Sequence, residues 1–298
     1  MCYRSALHPI TTPTTNDRGD AMSIIYDLSK VPADVVAQIH ASPKYTKWFS
    51  EFPTKLLGVS ADAKTVKGEQ YGVLTAILYL SPASSSGVNM CAMAETASCI
   101  DACLNTAGRG AMSSVQMSRL RKTLFMLQYW NEFEAMLWRE IDRHAKYCRK
   151  HGYKCAVRLN GTSDVRWEIK IWDTMVYFHK WWDVYFYDYT KIANRIVPDT
   201  SIYDLTFSYS GVEKYQRHVD TALAMGMRLA VVFRYRTQIP KSFMGMDVVD
   251  GDDSDLRFLE PQGVVSALYA KGKAVHDTSG FVVDTFKGVA RSGSRLIA

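Results

Sequence analysis

The chain reads as an α/β domain, a complete or partial (β/α) barrel with parallel strands. Three observations predict this. Short β-prone runs recur through the second half of the chain, and helical stretches separate the earlier ones. Polar and charged residues follow directly on the carboxyl ends of those runs, where parallel α/β folds build their sites.

The elements follow in order. Residues 1–21 are rich in Thr, Pro, Asn and Asp and show no periodicity, so they read as a mobile tail. Met22 opens a more protein-like stretch and is a candidate alternative start. Residues 22–285 form the expected single α/β domain, and 286–298 read as a loose second tail. VPADVVAQIHA reads as a short helix within the weakly patterned residues 22–70. YGVLTAILYLSP (71–82) is a strand ended by proline and a Ser-Ser-Ser-Gly turn.

Two long helices are expected next. Val115, Met117, Leu120, Leu124 and Leu127 lie on one face over 113–127. Phe133, Met136, Leu137 and Ile141 do so over 132–150, with Gly152 as the stop. Strands follow at 155–159, 184–187, 204–208, 228–233, 247–249 and 264–270. Helices are expected at 172–182 and 212–227.

The strongest chemical signal lies between the first strand and the first long helix. Cys91, Cys99 and Cys103 are spaced C-x7-C-x3-C. Three thiolates hold a metal ion or an iron–sulfur cluster and leave one position open. Cys99 and Cys103 are four apart, so a helical turn would point both sulfurs one way. Gly108-Arg109-Gly110 follows, flexible backbone whose amides can approach a cluster or an anion. An iron–sulfur cluster (4Fe-4S), zinc and unliganded thiols are the three readings. Polar neighbours and the lack of an apolar stripe weigh against simple core packing.

The bulk numbers exclude some classes. No apolar run reaches membrane-spanning length, and the first residues lack the apolar segment of a secretory leader. The expectation is a cytoplasmic protein with no membrane partner. Six cysteines are too few for a disulfide scaffold in 298 residues. The net charge of +6 permits nucleic-acid contact without requiring it. The basic groups Arg119, Arg121, Lys122 and Arg139, Arg143, Lys146, Arg149, Lys150 lie on expected helices, where a solvated face is the usual meaning. No Walker loop, dinucleotide fingerprint or nucleophile elbow occurs.

The strand ends supply the other candidates. Asn160 and Asp164 either bind a ligand's hydroxyls or amines or cap the following turn. Asp164, Arg166, Asp188, Lys191, Arg234 and Asp250 are the candidate catalytic residues. Gly108, Arg109, Gly110, Asn160, Ser208 and Lys271 are the candidate cofactor contacts. Asp250, Asp252, Asp253 and Asp255 imitate part of a calcium loop, but Glu260 falls too early to close it. His276, just past a strand, is the best-placed histidine for a fourth metal ligand. The tryptophan- and tyrosine-rich run 172–187 reads as core, with base stacking as the sharper alternative.

Several runs together resemble the phage gene 88 protein family. They are the cysteine segment with CLNTAGRG, RLNGTSDVRWE, YDYTK, RLAVVFR, VVDGDDSDLRFLEPQGVV and AKGKAVHDTSGFVV, spanning roughly residues 65–284. The resemblance implies a bacteriophage origin and a host-cytoplasm location, and it brings no activity with it. The chain is also similar, more weakly, to radical S-adenosylmethionine enzymes. These place three cysteines after the first strand of a βα barrel and leave one iron free for the methionine moiety. Their usual C-x3-C-x2-C spacing differs from the spacing here.

The leading expectation is therefore an iron–sulfur enzyme that binds S-adenosylmethionine and acts on a small molecule, a nucleotide or a nucleic-acid base. One alternative is a zinc enzyme of base exchange or hydrolysis on nucleic acid. The other is a non-enzymatic nucleic-acid-binding protein with a structural metal.

Overall fold

A computed structural model describes residues 23–59 and 63–285. Both expected tails, 1–21 and 286–298, and Met22 lie outside the described residues.

Helices α1 (Ala33–His40) and α2 (Pro43–Phe49) pack on each other ahead of β1 (Leu57–Val59). Helix α3 (Ala63–Glu69) leads into β2 (Val73–Leu78), which is buried at every position. A strand covered on both faces reads as an unbroken apolar run, and this one does. After the cysteine segment come α4 (Ser113–Gln128) and α5 (Trp130–His151). Gly152 ends α5 in the left-handed region at φ 74°, and the Tyr153 amide donates back to the Cys148 carbonyl.

The rest of the chain alternates. Strand β3 (Lys154–Arg158) is followed by α6 (Trp167–Lys170) and α7 (Trp172–Trp182), then β4 (Val184–Thr190) and β5 (Tyr203–Ser208). Next come α8 (Gln216–Ala224), β6 (Leu229–Phe233), β7 (Ser242–Phe243), β8 (Met246–Asp250) and β9 (Val265–Tyr269). The expected helix over 212–227 is shorter, because Glu213–Tyr215 form a 3-10 turn and Gly226 ends it at φ 67°. Helices α2, α3 and α6 and strands β1 and β7 are additions to the sequence reading. All five are short, and β7 pairs with β8 across Met244-Gly245, both at positive φ as a tight two-residue hairpin requires.

The nine strands of the described residues form one sheet in the order β1-β2-β3-β4-β5-β6-β9-β8-β7. Among the described residues only β1 and β7 pair antiparallel to their neighbours. Strands β2 to β6 pair in sequence order, so each crossover advances the same way. Right-handed crossovers that always advance one way place their helices on one face. That face carries the main core: Leu74, Ala76 and Leu78 of β2, Val157 of β3, Phe186 of β4 and Leu205 of β5 lie under Leu124, Phe133, Leu137, Met175 and Phe178.

The other face is covered by the chain between β8 and β9. Leu256 and Phe258 pack there on Val73, Ala156 and Tyr187. Buried polar groups fill the remainder: Arg158 pairs with Asp255, and Arg228 donates to Asp204 at 2.7 Å and Thr206 at 2.8 Å. No hydrogen-bonded pairing joins β1 to β7 among the described residues, so the sheet is an open, mostly parallel one.

Gly161 shows how closely the strand ends approach. Its amide donates to the Leu78 carbonyl at 3.0 Å, and an added Cβ would lie 2.8 Å from that same oxygen. Gly161→Ala is expected to lower stability by about 1–3 kcal/mol, as overpacking against backbone does. An unchanged urea midpoint would show that the two strand ends can separate freely.

Candidate functional site

The site is assembled where the parallel strands end. Residues 79–110, between β2 and α4, fold across the carboxyl ends of the neighbouring strands. The Asp164 amide, after β3, donates to the Met90 carbonyl at 2.8 Å, and Cys91 Sγ lies 3.7 Å from the Thr162 carbonyl. Ser210, after β5, donates to the Ala97 carbonyl at 2.8 Å. Gly272, after β9, sits against Ala107 so closely that a Cβ there would be 2.7 Å from the alanine methyl. Among the described residues four non-glycine positions have left-handed backbone, and two of them, Ala83 and Ser98, flank the cysteines. Backbone strain of this kind concentrates at functional sites.

All three thiols are half-buried. Cys91 Sγ accepts from the Ala83 amide at 3.4 Å, and Cys103 Sγ from the Asn105 amide at 3.5 Å. Burial pushes the Cys91 thiol up to about 12, against the Ala83 amide and with the help of Asp164 and the other two thiols. Burial likewise raises Cys99, where Lys191 opposes it, and Cys103, where the Asn105 amide does. Lys191 is lowered by burial, and Cys99, Asp164, Cys91 and Cys103 all pull it back up. The three cysteines, one carboxylate and one ammonium thus share a single electrostatic neighbourhood.

Lys191 is held there by its surroundings. Its Nζ donates to both the carbonyl and the hydroxyl of Ser208 at 3.0 Å and lies 4.8 Å from the Phe281 ring centre. Its amide donates to Asp164 at 2.8 Å. Asp164 in turn pairs with Arg195 at 3.0 Å. Arg195 is fully buried and also forks onto Glu168, at 2.6 Å, and reaches the Tyr203 hydroxyl at 3.1 Å. This buried pair of carboxylates around one guanidinium fixes the loop after β3 to the loop after β4. Arg195, Glu168 and Tyr203 carry no signal in the sequence. Nothing in the spacing of NRIVP, a loop run, marks an arginine that will be buried.

The other expected residues are distributed more widely. Asn160 is locked as a turn cap: its side-chain Oδ1 accepts from Ser163 Oγ, the Val165 amide and Trp167 Nε1. Asp188 clamps the Leu159 and Asn160 amides and accepts from the Tyr203 hydroxyl at 2.9 Å. Arg234 ties down the chain after β9, donating to the Val275 and Asp277 carbonyls and pairing with Asp284 at 3.1 Å. Arg166 is exposed and pairs with Glu168 at 3.1 Å. Asp250 pairs with exposed Arg236, and Lys271 with Asp252 at 2.7 Å. Gly108 and Arg109 are exposed and Gly110 is buried in the turn before α4. His276 is exposed, beside a small cavity that it shares with Asp101 and Lys273.

The basic groups also resolve. Arg121 donates to the Glu51 and Phe52 carbonyls, and Lys122 to the Leu56 carbonyl at 2.6 Å. Arg119 pairs with Asn105 and lies over the Tyr79 ring. These three serve internal contacts. Arg149 stacks 4.1 Å from the Trp182 ring centre.

A further cluster lies outside the residues that the sequence singles out. Among the described residues, a single group brings three His, Cys, Asp or Glu ligand atoms within 4.8 Å of one another, and it is His144, Cys148 and Cys155. The sulfurs of Cys91, Cys99 and Cys103 are spread more widely than that.

The family model described as Gene product 88 matches residues 45–285 of the chain. No curated protein and no solved structure matches it. The likeness to radical S-adenosylmethionine enzymes finds no support in these comparisons. No described helix is long and apolar enough to cross a membrane.

The buried charges of the site have measurable consequences. Arg195→Ala leaves Asp164 and Glu168 buried without their counter-charge and should destabilise the protein by about 3–5 kcal/mol. Lys at 195 cannot fork onto both and should restore only part of this in urea denaturation. Burial pushes the Asp188 carboxyl from 3.8 up to about 6, against Arg158 and the Asn160 amide. The folded state then binds more protons than the unfolded one between those values. The contribution of Asp188 to stability is full below about pH 4 and is lost as pH rises through 6. Wild type should lose stability relative to Asp188→Asn across that window, and the opposite slope would refute the assignment.

Proposed function

We infer, for a chain that belongs to the Gene product 88 family, that it is a phage-encoded iron–sulfur enzyme working at the carboxyl end of an incomplete βα barrel. The observation that carries the reading is the convergence of Cys91, Cys99 and Cys103 with Asp164 and Lys191 where the parallel strands end. The separation of the three sulfurs favours a cluster over zinc. A tetrahedral zinc ion with bonds of about 2.3 Å draws its sulfurs to within about 4 Å of one another. A cluster seats each thiolate on a different iron and suits a wider spread.

Three cysteines leave a 4Fe-4S cluster one iron without a protein ligand. When bound, such a cluster supplies one-electron chemistry, and S-adenosylmethionine is the ligand proposed for the open iron. The chain's own residues supply the rest. Lys191 places a positive charge beside the thiolates and offsets part of their negative charge. Asp164, anchored by Arg195, holds the Lys191 backbone in register. Ser208 fixes the ammonium. A nucleotide, or a base of nucleic acid, is the proposed substrate class, and the net charge of +6 is compatible with it.

Anaerobic reconstitution with iron and sulfide tests the reading. Wild type should gain broad visible charge-transfer absorption and, on reduction, a paramagnetic signal that S-adenosylmethionine perturbs. Cys99→Ala should lose both. Absorption that persists unchanged in Cys91→Ala, Cys99→Ala and Cys103→Ala would overturn the cluster assignment. Lys191→Met should retain the cluster but lower its midpoint potential, because a nearby positive charge favours the reduced form. A redox titration with no shift would remove Lys191 from the site.

A further inference from the structure

We propose a second metal site, independent of the cysteine triad: a buried zinc ion held by His144, Cys148 and Cys155. The three residues come from two elements that a turn folds back on each other. His144 and Cys148 are four apart on α5, so their side chains share one face. Gly152, in the left-handed region, reverses the chain into β3. Cys155 then points from β3 toward α5, as its place in the helix-covered core shows.

The ligand atoms of all three lie within 4.8 Å of one another, and each residue is at least nine-tenths buried. His144 Nδ1 is 3.9 Å from Cys148 Sγ, close to one edge of a zinc tetrahedron. The imidazole is also oriented from outside. Its Nε2 lies 3.1 Å from the Leu74 carbonyl and donates to it. That bond occupies Nε2 and leaves Nδ1 as the nitrogen free to bind a metal, with Cys148 Sγ 3.7 Å from Nε2 and 3.9 Å from Nδ1; metal-binding histidines are commonly fixed by a backbone carbonyl in this way.

Charge decides which ion fits. Two thiolates and a neutral imidazole carry −2, which cancels a divalent cation in a setting where net charge is costly. Loading releases two protons, one from each thiol, and involves no electron transfer. Sulfur and imidazole donors together select zinc over magnesium or calcium. His144, alone of the three ligands, lines a cavity of about 390 Å3 together with Leu57, Leu74, Glu140, Arg143 and Tyr147. Water from this cavity is the proposed fourth ligand, as in three-residue zinc sites.

The site sits at the opposite end of the sheet from the triad. Cys155 is the second residue of β3, and Asn160, beyond the strand's other end, lies about 16 Å further along extended chain. The two sites can therefore be loaded and removed separately.

The test uses the full chain with Cys91→Ser, Cys99→Ser and Cys103→Ser, which removes the triad and leaves this site intact. Cobalt(II) should bind this folded variant at one equivalent with thiolate-to-cobalt charge-transfer absorption, and zinc should displace it. Adding Cys148→Ser and Cys155→Ser should abolish the absorption. A folded triad-free variant that takes up neither cobalt nor zinc would overturn the proposal. So would metal binding that survives loss of Cys148 and Cys155, or a Cys148–Cys155 disulfide with no metal uptake. The first arm changes no buried core residue of this site, so it decides the matter even if the second set of variants fails to fold.

Discussion

Parallel pairing between strands laid down in sequence order is the constraint from which the rest follows. It sends the crossovers from β2 to β6 the same way and gathers their helices on one face, while the connection that steps back from β8 to β9 covers the other. It also brings the ends of β2, β3, β4, β5, β6 and β9 to one rim. Nothing else would bring Cys91, Asp164, Lys191 and Ser208 together, since they are spread over more than a hundred residues. The cysteine segment is laced to that rim by backbone contacts to the chain after β3, β5 and β9.

Buried charge is the price of this arrangement, and it is offset in pairs. Arg195 answers Asp164 and Glu168 near the rim. Arg158 answers Asp255, and Arg228 answers Asp204, on the face away from the helices. Such pairs add little net stability over apolar packing, but removing one partner is strongly unfavourable. They therefore fix loop positions rather than strengthen the fold. The same logic separates the two proposed metal sites. The triad lies beside an ammonium and a carboxylate at the rim, whereas His144, Cys148 and Cys155 lie inside the core, where a neutral metal complex is the form that burial tolerates.

Much of the fold is legible in the sequence because its signals are local. The apolar periodicity of Ser113–Gln128 and Trp130–His151 and the β-prone runs from Val73 to Tyr269 place the long elements to within a few residues. Short elements such as β1 and β7 are fixed by pairing with distant partners, and three residues carry no period. At the site, the C-x7-C-x3-C spacing points to the cysteines and the strand ends to Asp164, Lys191 and Ser208. Arg195 and Tyr203 are invisible, because burial of a loop arginine and of a tyrosine hydroxyl depends on neighbours tens of residues away. His144 and Cys148 are nearer to view. Their H-x3-C spacing on a helix, with Cys155 just past the glycine stop, is a readable pattern, though one that pairing of histidines alone does not reveal.

The most direct measurement is metal and sulfide analysis of the protein purified without oxygen, in wild type and in the variant lacking Cys91, Cys99 and Cys103. Iron and inorganic sulfide in equal numbers, present in wild type and absent from the variant, is the predicted result. Iron-free wild type, or bound metal that is identical in the two proteins, would contradict a cluster at the strand ends.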